Sequence, residues 1–320
     1  MNERTAIQSL RDCIRRKHLA LSTERSYVYW LRQYCSAIKA YPAALDTRAR
    51  IERFLSTLAL QRVSASTQNQ AFNAILFFYR HVLKTDPGPI NALRAKRPQH
   101  IRTAPSFDEI RDLLLIVRDI HQYPTRLIVH LLYACGLRVS EPLNLRFKDV
   151  HLDARRLDIR DGKGSKDRVV RLPDSLADPI SAQLTLASCM WQRDRANGIP
   201  VPLPGRLDRK YPSARHSLPW YWLFPSHKPC RHPRTGETVR WRCHQSNVQR
   251  AVRSAAREVG LDGLVTPHVL RHAYATHAIE RGASIRDVQA ALGHKHLDTT
   301  MRYVTPDALN VPSPLEAAAC

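Results

Sequence analysis

Apolar positions recur at helical spacing through the first hundred residues, and no stretch there alternates convincingly as a strand would. In STERSYVYWLRQYCSAI, Tyr27, Leu31 and Tyr34 fall three and four apart, which predicts one buried helix face. TQNQAFNAILFFYRHVL follows VSAST, whose serines and threonines suit a helix start. Its Phe72, Ile75, Leu76 and Tyr79 line one side, and across the first hundred residues arginine and lysine fill many other positions. Residues 1–88 therefore read as a small helical domain with a basic face. Periodicity fades in DPGPINALRAKRPQHIRTAP, rich in proline and basic residues, and residues 89–105 read as an interdomain linker.

SFDEI opens the second domain, 106–320, with Ser106 and Glu109 in capping-box spacing. TRLIVHLLYACGLRVSEPLNL predicts a buried helix, a glycine turn and a second short helix. In RRLDIRDGKGSKDRVVRLP the period changes: LDI and RVVRL are short strand-like runs around a turn, with Lys163 and Lys166 near its tip. SNVQRAVRSAAREVG predicts a helix ending at Gly260, and Thr266 with Pro267 forms the start of the next. The chain shows no internal repeat. The fold class expected is mainly α-helical with a small antiparallel β-sheet.

Charge adds a partner to this picture. Lys+Arg 50 against Asp+Glu 28 leaves a formal +22 at pH 7, which points to a polyanion and most simply to nucleic acid. Seven scattered cysteines, an odd number, indicate a reduced compartment rather than a disulfide framework. The N-terminus lacks the apolar core of a signal peptide, and no apolar run is long enough to span a bilayer. A cytoplasmic location follows as the expectation, with no membrane association.

The end of the chain carries the chemistry. HVLRHAYATHAIERGASIRDVQAALGHKHLDTTMRYV contains His268, Arg271, His294 and Tyr303; GLR upstream supplies Arg138, and the turn supplies Lys163. Breaking a phosphodiester without a metal needs a nucleophile, charge compensation for two nonbridging oxygens and a proton for the leaving 5′ oxygen. A tyrosine can form a covalent phosphotyrosine that stores the bond energy, although a pKa near 10 means it needs activation. Two arginines suit the phosphate oxygens, being planar and always charged. His268 and Arg271, three apart, project from one helix face. His294 can donate to the same phosphate or share proton handling with His268. Lys163 can reach the leaving oxygen and protonate it.

Each residue also has an ordinary reading. Arg138 could pair with Glu141 at the edge of the core, His268 could cap a helix, and His294 could be a turn residue. Tyr303 could pack, and Lys163 could be a solvated turn lysine. It is their joint occurrence, in this order, that points to catalysis. His227, Cys230, His232, Cys243 and His244 match no common zinc spacing. GKGSK is not a nucleotide-binding Walker loop, and the carboxylates are too dispersed for a two-metal nuclease. Neither a metal nor another cofactor is expected.

GLRVSEPLNL, DGKGSKDRVV, HVLRHAYATH and LGHKHLDTTMRYV, in that order, resemble the tyrosine recombinase (phage-integrase) family, and the match covers most of the chain. The family pattern Arg, Lys, His-x-x-Arg, His, Tyr falls on Arg138, Lys163, His268, Arg271, His294 and Tyr303, with Tyr303 as nucleophile. The resemblance implies a SAM-like helical core-binding domain followed by a catalytic domain. It implies strand cleavage through a 3′-phosphotyrosine, and a homotetramer on two paired DNA sites. Two local departures stand out: Pro142 directly after Glu141, and RTGETVRWRCH in place of a histidine-rich run.

Between the hairpin and the His-x-x-Arg helix lies a long segment, about 185–245, that resembles the insertion of integron integrases, most specifically in LDRKYP and WYWLFPS. Membership there would imply integrating and excising gene cassettes by recombination between a folded single-stranded attC site and a double-stranded attI site. The alternative is a Xer-like or phage-type enzyme acting on duplex sites. Within the insertion, Trp220, Tyr221, Trp222 and Phe224 sit near Arg215, His216 and Lys228. Aromatic rings stack on unpaired bases and cations hold a backbone. Arg215, His216, Trp220, Tyr221 and Lys228 are thus candidate DNA-binding residues; packing as the insertion's own core is the other reading.

Overall fold

The computed structural model describes residues 2–95, 104–160, 167–205 and 207–293. The chain divides into two compact units, residues 1–102 and 103–320. Among the described residues of the first unit all regular structure is helical: α1 (Glu3–Arg16), α2 (Leu21–Ile38), α3 (Thr47–Leu60) and α4 (Ala65–Phe77), the last continuing into one π-helical stretch, Phe78–Leu83. Local chemistry sets the starts. Asn2, Asp46 and Ser64 each accept a backbone N–H from the first turn of the helix they precede. Leu10, Ile14, Leu31, Tyr34, Leu55 and Ile75 close the core. Tyr34 spends its hydroxyl on that of Tyr79, 3.0 Å away.

Part of the expected linker belongs to this unit. The Gln68 side-chain amide, buried, donates to the carbonyls of Leu55 and Leu93 and accepts the N–H of Ala95. Residues 89–95 are thereby tied to α3 and α4, because a buried glutamine must find partners for both ends of its amide.

The second unit begins with α5 (Phe107–Ile116), whose capping box is formed: Ser106 accepts the Glu109 N–H, and the Glu109 carboxylate accepts the Ser106 N–H. The two helices expected around the glycine turn follow as α6 (Thr125–Ala134) and α7 (Ser140–Asn144). Pro142 is accommodated because α7 is a single short turn, where its missing N–H costs little. Strands β1 (Val150–His151), β2 (Arg156–Ile159) and β3 (Arg168–Arg171) form an antiparallel sheet in sequence order, with Ile159 opposite Arg168 at the end of the hairpin.

Helix α8 (Ala177–Ala196) runs well into the expected insertion. Beyond it lie the short α9 (Leu207–Lys210), two 3-10 turns and a two-stranded ribbon, β4 (Cys230–Arg231) with β5 (Thr238–Val239). Val201, Tyr221 and Trp222 form a small core of their own here. Leu223 and Phe224 turn instead into the main core, with Ile128, Leu132, Leu157 and Val252. Among the described residues the unit continues with α10 (Gln245–Glu258), α11 (Pro267–Glu280) and α12 (Ile285–Leu292). Thr266 caps α11 as its sequence predicts, with Pro267 in the first turn. No described helix is long and apolar enough to cross a membrane.

Candidate active site

Arg138 follows the turn after α6, and its backbone N–H and guanidinium both donate to Glu141, at 2.7 and 2.8 Å. The ordinary pairing read from the sequence is thus present. The Arg138 side chain nonetheless keeps 36% exposure, enough to face an anion. Arg271 sits one turn into α11 and is 1% exposed. Its guanidinium donates to the Gly136 carbonyl at 2.8 Å and to the Leu292 carbonyl, and lies 3.7 Å from Glu141. The two candidate arginines, distant in sequence, therefore meet on one carboxylate. His268 is exposed on the first turn of α11. Lys163, His294 and Tyr303 lie outside the described residues.

A third arginine, not singled out in the sequence, completes the cluster. Arg168, at the start of β3, donates to both oxygens of Glu141 at 2.9 and 2.7 Å and to the Ala291 carbonyl at 2.7 Å. Burial alone would raise the Glu141 carboxyl pKa. The hydrogen bonds and charge of Arg168, with the Arg138 N–H and Arg271, outweigh it and hold the carboxyl below the usual range. Glu141 is therefore an anion that locks three guanidiniums at the junction of α6, α7, β3, α11 and α12.

Backbone geometry serves the same junction. Gly136 has φ +59°, and a Cβ there would come 2.4 Å from the Tyr274 ring; the close approach lets its carbonyl meet Arg271. Gly293 caps α12 with φ +66°, directly before His294, and the Arg168 side chain packs against it.

A second feature lies between residues 144–160 and residues 202–242. A cavity of about 510 Å³ is lined by Trp220, Trp222, Trp241, Arg146, Lys148 and Arg160, among others. The Arg146 guanidinium lies 3.7 Å from the Trp222 ring centre and donates to the carbonyls of Trp220 and Pro202. Lys148 Nζ sits 3.4 Å from the Trp220 ring centre. Burial pushes the Arg146 pKa down to about 10 and lowers that of Lys148 as well.

Residues 106–309 match the profile described as "Phage integrase family", and residues 7–88 match "Phage integrase, N-terminal SAM-like domain". The chain belongs to the phage integrase family. It is a tyrosine-recombinase-type, site-specific DNA recombinase. An "Integrase/recombinase" of Escherichia coli is 40% identical over 97% of this chain and 93% of its own length. The "Tyrosine recombinase XerA" of Thermococcus kodakarensis is 32% identical over 88% of this chain and 83% of its own. The fold is shared with an integrase of the Tn1549 transposon, in complex with circular intermediate DNA (15% identity, TM-score 0.59, 98% of this chain and 97% of that one). It is shared also with XerH bound to difH (19% identity, TM-score 0.59, 96% and 81%).

The recombinase uses its other candidates differently. Tyr221, a candidate for DNA binding or for packing, is 1% exposed, and its hydroxyl donates to Asp194 at 2.6 Å. Burial and that carboxylate push its pKa up strongly. No ring face is open to a base, so packing describes Tyr221, and the same holds for Phe224 in the main core. Trp220 is half-buried and lines the cavity. Arg215 pairs with Glu237; His216 and Lys228 are exposed. Among the described residues no three or more His, Cys, Asp or Glu converge as metal ligands. His244 caps α10, His232 accepts two backbone N–H groups, and Cys243 is buried beside Asn247.

Proposed function

We propose that this recombinase cleaves and rejoins DNA with Tyr303 as nucleophile. The Tyr303 oxygen attacks phosphorus, a phosphotyrosine bond forms at the 3′ end, and the bond to the 5′ oxygen breaks. Lys163 supplies the proton that the leaving oxygen takes. Arg138 and Arg271 compensate the charge on the nonbridging oxygens, and His268 and His294 donate to the phosphate or handle protons. The freed 5′-OH of a partner strand then attacks the phosphotyrosine and restores the enzyme. Four protomers on two paired sites would carry out the exchange. The observation supporting this reading is the gathering of Arg138 and Arg271 on Glu141, which preorganises two guanidiniums around one locus.

Two readings of the substrate stand, each with its own support. The integron reading, attC × attI recombination of cassettes, draws on the aromatic and cationic cavity, where an unpaired base could stack. The reading of duplex sites, as for a Xer-like or phage-type enzyme, draws on relatives with Xer names and is the better supported by similarity.

The test is covalent-adduct formation on nicked substrates, a panel of folded attC-type single strands beside duplexes, with Tyr303→Phe alongside. A Tyr303-dependent adduct mainly on folded strands supports the integron reading, and one on duplex alone supports the other. An adduct that survives Tyr303→Phe sinks the proposed nucleophile.

A further inference from the structure

Glu141 is a carboxylate with its acceptor positions filled. An ionised carboxylate offers about four lone-pair sites, two on each oxygen. One oxygen accepts the Arg138 guanidinium at 2.8 Å and Arg168 Nη1 at 2.9 Å. The other accepts the Arg138 backbone N–H and Arg168 Nη2, both at 2.7 Å. Arg271, 3.7 Å away, stands just outside hydrogen-bond reach of this carboxylate and donates to the Gly136 and Leu292 carbonyls. Three guanidiniums around one carboxylate leave two positive charges in excess. We propose that Arg168 is a positioning residue for phosphate charge compensation, saturating Glu141 so that Arg138 and Arg271 keep their charge and their places for the phosphate.

Arg168 itself is turned away from solvent, with 9% of its side chain exposed, so it acts through the other two. Its Nε donates to the Ala291 carbonyl at 2.7 Å, and Arg271 takes the carbonyl of the next residue, Leu292. The last carbonyls of α12, which a helix leaves without partners of its own, are thus divided between the two arginines. Without Arg168, two acceptor positions open on a buried anion, which is costly until they are filled. The cations already at hand are Arg138 and Arg271. Either one, drawn closer to Glu141, is drawn away from the phosphate, and the excess falls to one positive charge. The transition state asks for more. There the negative charge of the phosphodiester is joined by the one that the attacking tyrosine oxygen brings.

This inference rests on Arg138 and Arg271 as the partners of the phosphate, and a charge-neutral substrate separates the two claims. A methyl group in place of one nonbridging oxygen gives a methylphosphonate, which has no charge of its own and asks less of the cations. Single-turnover cleavage is measured at saturating full-length protein. The ordinary diester and both methylphosphonate isomers are made from whichever substrate gives the Tyr303-dependent adduct. The proteins are wild type, Arg138→Ala, Arg168→Met and the double variant Arg168→Met with Glu141→Gln, each checked for folding by circular dichroism.

Losing a preorganised donor costs about 10²–10³-fold, and Arg168→Met, one step removed, is expected to lose about tenfold or more on the ordinary diester. Its deficit against wild type should shrink on at least one methylphosphonate isomer, as should that of Arg138→Ala. The double variant removes one charge of each sign, restores the excess, and should cleave the ordinary diester faster than Arg168→Met. A deficit equal on all substrates, no deficit at all, or a double variant no faster than the single one leaves Arg168 with a structural role or none. If the Arg138→Ala deficit does not shrink, the phosphate reading of Arg138 fails and the inference goes with it. Should Arg168→Met not fold, the double variant decides alone. A rate on the ordinary diester closer to wild type than to Arg138→Ala supports the inference; a slower rate, or no folded protein, overturns it.

Discussion

Arg168 and Glu141 form a two-point pair, 2.9 and 2.7 Å, with both side chains nearly out of solvent. One is the first residue of β3 and the other lies in α7, so the pair joins β3 to the α6–α7 connection that carries Arg138 and, through Glu141, to Arg271 on α11. Removing one partner of a buried pair leaves an uncompensated charge, which typically costs about 3–5 kcal/mol. Glu141→Ala strands the buried Arg168 and Arg271 cations together and should fall in that range by urea denaturation. Glu141→Gln keeps an acceptor and should cost less. Equal stability of wild type and Glu141→Ala would mean the cluster contributes nothing to the fold.

The same carboxylate gives stability a pH dependence of defined sign. The folded pKa of Glu141 is held below its unfolded value, about 4.3 for glutamate. Its contribution is therefore fully present above that value and is lost as pH falls through the lower, folded value. Melting temperatures measured from pH 6 downward (a range set about this glutamate value) should fall more steeply for wild type than for Glu141→Gln. Parallel curves would show that Glu141 is not the titrating group.

Much of this was legible in local patterns. The Ser106 and Glu109 box, the Thr266 and Pro267 start and the two hairpin strands depend only on residues a few positions apart. Glu141 was visible only as a possible partner of Arg138. Its bonds to Arg168 and Arg271 bridge distant parts of the chain, and no spacing rule reports them. Tyr221 stayed open between binding and packing for a related reason. Four aromatics within WYWLF look alike in sequence, and only the position of Asp194 on α8 decides that Tyr221 turns inward while Trp220 lines a cavity. Residues 89–95 read as linker because proline and basic residues mask the anchor that Gln68 supplies.

Gly136 should tolerate no side chain. Its φ of +59° strains any L-residue, and a Cβ would sit 2.4 and 2.6 Å from Tyr274 ring atoms. Substitution at such a position destabilises by more than about 1 kcal/mol. Gly136→Ala should also lose cleavage beyond its stability loss, since the displaced carbonyl is the one that holds Arg271. The check is adduct yield at a temperature where the variant remains folded. Wild-type yield there would mean that Arg271 does not depend on this carbonyl.

The segment after α8 has a keystone in Asp194, near the end of that helix. Its carboxylate takes two hydrogen bonds from Arg240, at 2.7 and 2.6 Å, and one from the Tyr221 hydroxyl. Arg240 is itself buried and donates to the carbonyls of Ser226 and His227, so Asp194 and Arg240 tie Tyr221, Ser226 and His227 to α8. Asp194→Ala would leave the Arg240 charge buried without its counter-ion, a loss of about 3–5 kcal/mol. Tyr221→Phe removes one hydrogen bond of three and should cost about 1–3 kcal/mol. Limited proteolysis should therefore cut within 200–245 sooner in Asp194→Ala than in wild type, with Tyr221→Phe between. If the main core stands apart from this cluster, α6 and α10 should stay protected from hydrogen exchange in the same variant. Simultaneous loss of protection in both would show instead that residues 200–245 and the core unfold as one unit.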